Sequence, residues 1–344
     1  NKRNCWLTYT NEKTHEIIRE NIMRAPKYAG KIHGIGARYC PSIEDKVVRF
    51  ADKDRHQLFV EPEGLDTTEM YVQGMSTSMP IDVQYAFLRT IPGFEDVKMM
   101  RPAYAIEYDL LDPLQLYPTL EVIKLPGLYS AGQSNGTSGY EEAAAQGLVA
   151  GINAALKIQG KDPFILARHE AYIGSLVDDL VTKGADEPYR MMTSRSEYRL
   201  ILRQDNADLR LTEKGHSIGL VGEERYARFL ERKKKYEEAM DYIRTQRFTP
   251  KEEINRALES MGTAPLTTGT GADQILKRPE MTYRKMMEML GCPAFDEEAV
   301  EEMEITVKYE GYIARQAAAV RKAARMENEK LQIGRASCRD RVSS

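Results

Sequence analysis

The stretch GLYSAGQSNGTSGYEEAAAQGLVAGINAAL, residues 127–156, decides the fold. It opens on apolar residues, 128–131, that read as a short strand. It breaks at Gly132-Gln133 into small polar residues running to Ser138. It resumes as an alanine-rich helix over 139–157. A strand, a glycine-rich loop and a helix N-terminus together form an anion-binding unit. The glycines admit a ligand to the backbone, and the unpaired N–H groups and the helix dipole favour negative charge. Gly147 and Gly151 lie four residues apart and share a helical face, which predicts close packing of this helix on a sheet.

The loop carries no Walker lysine and no G-x-G-x-x-G, so it is neither a nucleoside-triphosphate loop nor a first dinucleotide turn. Two readings remain. One is an ordinary β-loop-α unit without a ligand. The other is the second, flavin-facing loop of a two-motif flavoprotein. On that reading the FAD-contacting residues are Gly132, Gln133, Asn135, Gly136, Thr137, Ser138 and Gly139. Gln133 stands where such proteins carry an acid, and its amide can still donate and accept.

The 344 residues suffice for two domains. A net charge of −3 gives no global signature for nucleic acid, so any such surface is local. No run of apolar residues is long enough to span a membrane. Cys5, Cys40, Cys292 and Cys338 form no CxxC pair, and the five histidines show no ligand spacing. This pattern implies a reducing, cytoplasmic setting and no metal site.

In chain order, residues 5–9 read as a strand, and Thr10-Asn11 offers an N-cap for a helix to Met23. These residues read as the tail of an α/β unit. No first dinucleotide motif follows, so the chain is expected to start mid-protein. QLFVEP and EMYVQGM, within 57–75, read as two strands split at Glu63-Gly64. Pro80 opens a helix over 81–91, and 97–111 holds another strand. From there the pattern turns helical, with helices expected over 163–183, beyond Glu223, over 272–290 and over 307–331. TTGTG, 267–271, reads as a linker. The last eleven residues, GRASCRDRVSS, carry no apolar period and read as a foreign or disordered tail.

Two further segments carry chemistry. Cys40 precedes Pro41, with Arg38, Lys46 and Arg49 close in sequence. Nearby cations favour the thiolate, the nucleophilic form; the competing reading is a structural cysteine in a turn. In 186–210, Ser194 and Glu197 fit a capping box. A helix starting there would align Arg195, Arg199 and Arg203 in one stripe. Such a stripe can track RNA phosphates, with Tyr189 and Tyr198 available for stacking, or it can pair with local acids such as Glu187, Asp205 and Asp208.

RYCPSIEDK from Arg38 and AGQSNGTSGYEEAAAQG from Ala131 resemble the two signatures of the glucose-inhibited division protein A family. TYTNEKTHEII, EPEGLDT, RPAYAIEYD, DEPYRMMTSRSEYRLILRQDNADLRLT and VKYEGYIARQ agree, so the resemblance covers roughly residues 5–331. Ala37 departs from it, standing where the family has proline. The resemblance implies an α/β flavoprotein of the two-dinucleotide-binding type, its C-terminal portion only, followed by a mainly helical domain. The implied divisions are 1–34, tail of an inserted α/β domain; 35–160, C-terminal portion of the FAD domain; 161–333, a helical tRNA- and partner-binding region; and the tail 334–344. It implies FAD and NADH, with Gly36, Ala37, Arg38, Tyr39, Cys40, Pro41, Ser42, Ile43, Glu44, Asp45, Lys46, Val47, Val48, Arg49 and Phe50 as the NADH segment. It implies a folate-derived one-carbon donor, with glycine or ammonium, for a carboxymethylaminomethyl group at C5 of the tRNA wobble uridine. A homodimer joined to a partner GTPase as α2β2 is also implied, with Cys40 as the nucleophile. The alternative is an RNA- and partner-binding fragment without activity.

Overall fold

The structure is a computed structural model that describes residues 4–32 and 41–327. Gly36, Ala37, Arg38, Tyr39 and Cys40 lie outside the described residues, as does the expected tail 334–344. The chain forms two compact units. One holds the described residues of Asn1–Phe164 together with Val177–Met191; the other holds those of Ile165–Leu176 and Met192–Ser344.

The first unit begins with β1 (Trp6–Tyr9), followed by α1 (Glu12–Glu20). Asn11 caps α1 as its sequence predicts. Its side-chain oxygen accepts from Thr14 N at 3.1 Å, while Asn11 N donates to Thr14 Oγ1 at 3.2 Å. α2 (Ile43–Arg49), β2 (Gln57–Pro62), β3 (Met70–Gln73) and α3 (Ile81–Leu88) complete this part. The strands form one antiparallel sheet in the order β1-β2-β3, with Trp6 opposite Val60 and Val60 opposite Val72. Ile18, Ile43, Val47, Leu58, Val83 and Phe87 form its buried core. A division at 34/35 therefore runs through one sheet and one core.

The strand expected within 97–111 is absent; these residues form no ladder. Side chains satisfy the backbone instead. Ala103 exchanges two hydrogen bonds with the buried Gln84 amide, at 2.9 and 2.8 Å. The apolar run 128–131 is likewise no strand. Tyr129 makes a single bridge to Glu121, within a tight turn where Leu120 is buried at φ 65°. α4 (Tyr140–Ile158) follows, within a residue of its expected span. The close packing expected at Gly147 and Gly151 does not occur: both are exposed, and a Cβ on either would meet open space.

The helix expected over 163–183 is only α5 (Tyr172–Lys183). Residues 163–171 stay irregular because the Asn153 amide takes both backbone groups of Phe164, at 2.7 and 2.9 Å. Val177–Met191 returns to the first unit.

The second unit holds α6 (Ala207–Ser217), α7 (Glu223–Thr245), α8 (Glu252–Ser260), α9 (Ala272–Leu276), α10 (Tyr283–Leu290) and α11 (Glu297–Glu327). Their core gathers Ala239, Ile243, Leu258, Ile275, Met286 and Met303. α11 starts ten residues before the expected position, Val307, which is buried in it. Thr270–Gly271, read as linker, is β5, paired with β4 (Arg247–Phe248). No helix begins at Ser194. Thr193–Arg195 makes one 3-10 turn, and 196–206 is irregular.

Candidate functional site

The loop before α4 is built on two left-handed glycines. Gly132 has φ 80° and Gly136 φ 81°, flanking the 3-10 turn Gly132–Asn135. Its Asn135 and Thr137 side chains point inward. The fully buried Gln146 accepts from Gly132 N at 3.1 Å and from Asn135 Nδ2 at 2.8 Å. It donates to Thr137 Oγ1 at 3.0 Å and to the Glu142 carbonyl at 3.1 Å. Asn135 also donates to the Ser130 carbonyl, and Ser130 Oγ donates to Asn135 Oδ1. The side chains of Asn135 and Thr137 are thus spent inside the protein. Gln133 is exposed and donates to the Asp109 carbonyl, while Ser138 is half-buried.

The far side of the loop is fixed by the segment around Tyr189. Ser138 N donates to the Tyr189 carbonyl at 3.0 Å, and Tyr189 N donates to the Gly136 carbonyl at 2.7 Å. Met191 N donates to the buried Glu142 carboxylate at 2.7 Å. The other Glu142 oxygen is buried without a hydrogen-bond partner, and it occupies the space a Cβ on Gly139 would need. Arg190 stands 3.7 Å from Glu142 and 3.6 Å from Glu141. Gly139 caps α4 with no side-chain hydrogen bond. The first-turn N–H groups therefore have no side-chain cap, as an anion-binding helix end requires. Gln146, Glu142 and Arg190 were not anticipated as site residues. Their signal was spacing: Glu142 and Gln146 are one helical turn apart.

The segment 41–50 divides by burial. Ser42 caps α2 by accepting from Asp45 N at 3.2 Å. Ile43, Glu44, Asp45 and Val47 face inward, and Val48, Arg49 and Phe50 are exposed. One Glu44 oxygen accepts from Ser78 N and Oγ, at 2.9 and 2.8 Å; the other is buried and unpaired. Asp45 accepts from Lys27 at 2.8 Å and Tyr28 at 3.0 Å. Burial works against its charge, yet these donors hold the carboxyl below its usual range. Burial, with Asp45 beside it, pushes the Tyr28 hydroxyl up to about 12. Lys46 donates to the Gly74 carbonyl at 3.1 Å.

The arginine stripe is not formed, because the helix that would align it is absent. Arg203 is mostly buried. It donates to Asp205 at 2.9 Å, to Glu302 at 2.7 Å and to the Leu200 carbonyl at 2.8 Å. It pairs with local acids and anchors its loop. Arg195 is half-buried and Arg199 exposed. Burial and a hydrogen bond to Asp205 push Glu302 up to about 8, although Arg203 opposes this. Asp205 is held below its ordinary value by hydrogen bonds from Glu302 and Arg203, against burial. The two acids share one guanidinium.

Among the described residues no group of three His, Cys, Asp or Glu could hold a metal ion, and no helix is long and apolar enough to cross a membrane.

Residues 1–162 match the family model described as glucose inhibited division protein A. Residues 223–317 match the C-terminal helical domain of the tRNA modifying enzyme MnmG/GidA. The tRNA uridine 5-carboxymethylaminomethyl modification enzyme MnmG of Enterococcus faecalis is 58% identical over 333 residues, 96% of this chain and 53% of that protein. Its counterpart in Caldicellulosiruptor saccharolyticus is 57% identical over 95% of this chain and 52% of its own length. The form I crystal structure of Aquifex aeolicus GidA matches with a TM-score of 0.80 and 49% identity, over 96% of this chain and 52% of that one. The chain spans about half the length of the curated relatives it matches. The likeness supports a mixed α/β fold followed by a helical domain, as the two units display.

Proposed function

The chain belongs to the glucose-inhibited division protein A family, and on that premise we propose that it contributes to FAD- and NADH-dependent modification of the tRNA wobble uridine. The observation that carries this reading is the loop before α4. Two left-handed glycines turn its backbone, the Asn135 and Thr137 side chains are consumed inside, and it ends on a helix without a side-chain cap. At this uncapped helix end Gln133 is exposed and Ser138 half-buried, suited to the phosphate and carbonyl oxygens of a flavin nucleotide, while Gly132, Gly136 and Gly139 are buried. Gln133 and Ser138 would meet FAD directly, and the three glycines would set the turn that presents them. Asn135 and Thr137 would shape the loop through Gln146. FAD supplies the redox and one-carbon-transfer chemistry when bound. Among the described residues of the NADH segment, Pro41, Ser42, Lys46, Val48, Arg49 and Phe50 are open enough to meet a ligand.

Cys40 is assigned as the nucleophile. Its thiolate forms a bond to C6 of the uracil ring, and the electron pair moves to C5, making that carbon nucleophilic. C5 then bonds to the methylene carbon of a folate-derived iminium, whose C=N electron pair returns to the folate nitrogen. Loss of the C5 proton expels that nitrogen as the amine and leaves an exocyclic methylene. Glycine adds there to give the carboxymethylaminomethyl group (ammonium would give aminomethyl), and elimination of the thiolate from C6 restores the ring. Arg38, Lys46 and Arg49, near in sequence, favour the charged thiolate. A partner GTPase in an α2β2 assembly, a homodimeric core and a cytoplasmic setting belong to the same proposal.

The test is Cys40→Ser in the full-length enzyme. Uridine modification should vanish while flavin content stays at the parent level. Retained modification would overturn the role of Cys40, and a full-length parent purified without flavin absorbance would overturn the cofactor reading.

A further inference from the structure

The loop that replaces the expected arginine helix is irregular but tightly held. Arg168 donates to the Arg195 carbonyl at 3.1 Å, Asn206 to that of Ile201 at 3.1 Å and Arg210 to that of Arg203 at 3.0 Å. Its middle is fixed by one side chain from α11. Gln316 Oε1 accepts from Leu200 N and from Ile201 N, each at 3.2 Å. Gln316 Nε2 donates to the Glu197 carbonyl at 3.1 Å. A single amide thus bonds three backbone groups more than a hundred residues away in sequence, sharing Ile201 N with the Tyr198 carbonyl, and leaves the exposed Arg199 within the clasped stretch.

The same part of α11 presents aromatic and basic groups. Tyr312 lies one turn before Gln316 and is 55% exposed, and the Arg315 guanidinium lies 4.6 Å from the centre of its ring. Between Glu310 and Glu327 the helix carries Arg315, Arg321, Lys322 and Arg325 and no acid. This local positive charge on a slightly acidic chain complements a polyanion, and an exposed ring beside a guanidinium suits a nucleotide base.

We infer that Gln316 is a positioning residue, fixing the 197–201 backbone on α11 so that Arg199 and the Tyr312–Arg315 pair form one preorganised RNA-contacting surface. The inference rests on the reading of the chain as a tRNA-binding protein. Preorganisation removes the cost of ordering the loop on binding; without Gln316 the loop can still reach its phosphates but must be ordered first.

The experiment titrates labelled tRNA into the full-length protein at two salt concentrations, with circular dichroism melts of the same samples. Gln316→Leu should weaken binding about tenfold with an unchanged salt slope. Arg199→Gln should weaken binding and reduce the slope by roughly one. In the Arg199→Gln background the effect of Gln316→Leu should shrink below about twofold, because the loop then has less to present. An equal loss in both backgrounds, or no loss in either, overturns the positioning role. Normal affinity in both Arg199→Gln and Arg315→Gln overturns the surface itself. Gln316→Glu keeps the acceptor for Leu200 and Ile201 and replaces the leucine variant if that one unfolds. Its smaller loss must obey the same cycle, or the inference fails.

Discussion

Gly136, expected from the sequence to face a ligand, has a structural role of its own. Its φ of 81° is left-handed, and a Cβ there would stand 3.0 Å from Ala185 Cβ and 3.7 Å from Leu110 Cδ2. Gly136→Ala should therefore destabilise the first unit by about 1–2 kcal/mol before any ligand is considered. Denaturant melts would show this; an unchanged midpoint would mean that the loop relaxes freely. Gly136→Val is for the same reason a poor reporter of backbone approach by FAD, since flavin loss could follow from strain. The glycine's presence was legible in sequence, but its neighbours were not. Ala185 is 49 residues away, and no local pattern announces that contact.

At the scale of elements, local signals were reliable where nothing distant competed. Asn11 caps α1, and α4 begins where the glycine loop ends. Ser194 and Glu197 gave an equally good local signal and failed. Glu197 pairs with Arg168 at 2.8 Å, and its carbonyl accepts from Gln316. Partners from elsewhere satisfied groups that a helix would have used. Asn153 and Gln84 did the same at 163–171 and within 97–111. The expected arginine stripe became an anchor, with Arg203 shared by Asp205 and Glu302. This joint titrates. Glu302 is raised above its unfolded value, to about 8. Its contribution is fully present below about 4.5 and is lost as pH rises towards 8, because the unfolded chain releases this proton more readily. Glu302→Gln keeps a neutral donor in place. Its melting temperature should gain on the parent as pH rises from 5 to 8, and a constant difference across that range would refute the raised Glu302 carboxyl.

At the scale of the whole chain, the two units are not two consecutive segments. The chain leaves the first at Phe164, returns at Val177 and leaves again at Met191. The returning stretch supplies the Tyr189 backbone to Gly136 and Ser138, and Met191 N to Glu142. A fragment ending at residue 164 should consequently show rapid amide exchange over 136–142, whereas one ending at 191 should protect it. Equal protection in both would show that the loop holds its own shape. The division at 160 that the resemblance implies could not reveal the return, because tertiary pairing, not composition, draws it.

That return sets an order of events during synthesis. The loop at 136–138 leaves the ribosome well before its partner at 189, a separation of 51 residues between Ser138 and Tyr189. At typical elongation rates the wait is roughly 3–10 s. Through that interval the glycine-rich turn exists without the clasp that defines it. The nascent chain is therefore least protected just before the segment around Tyr189 emerges. A pause in translation between these points would lengthen the exposure of that turn to chaperones and proteases.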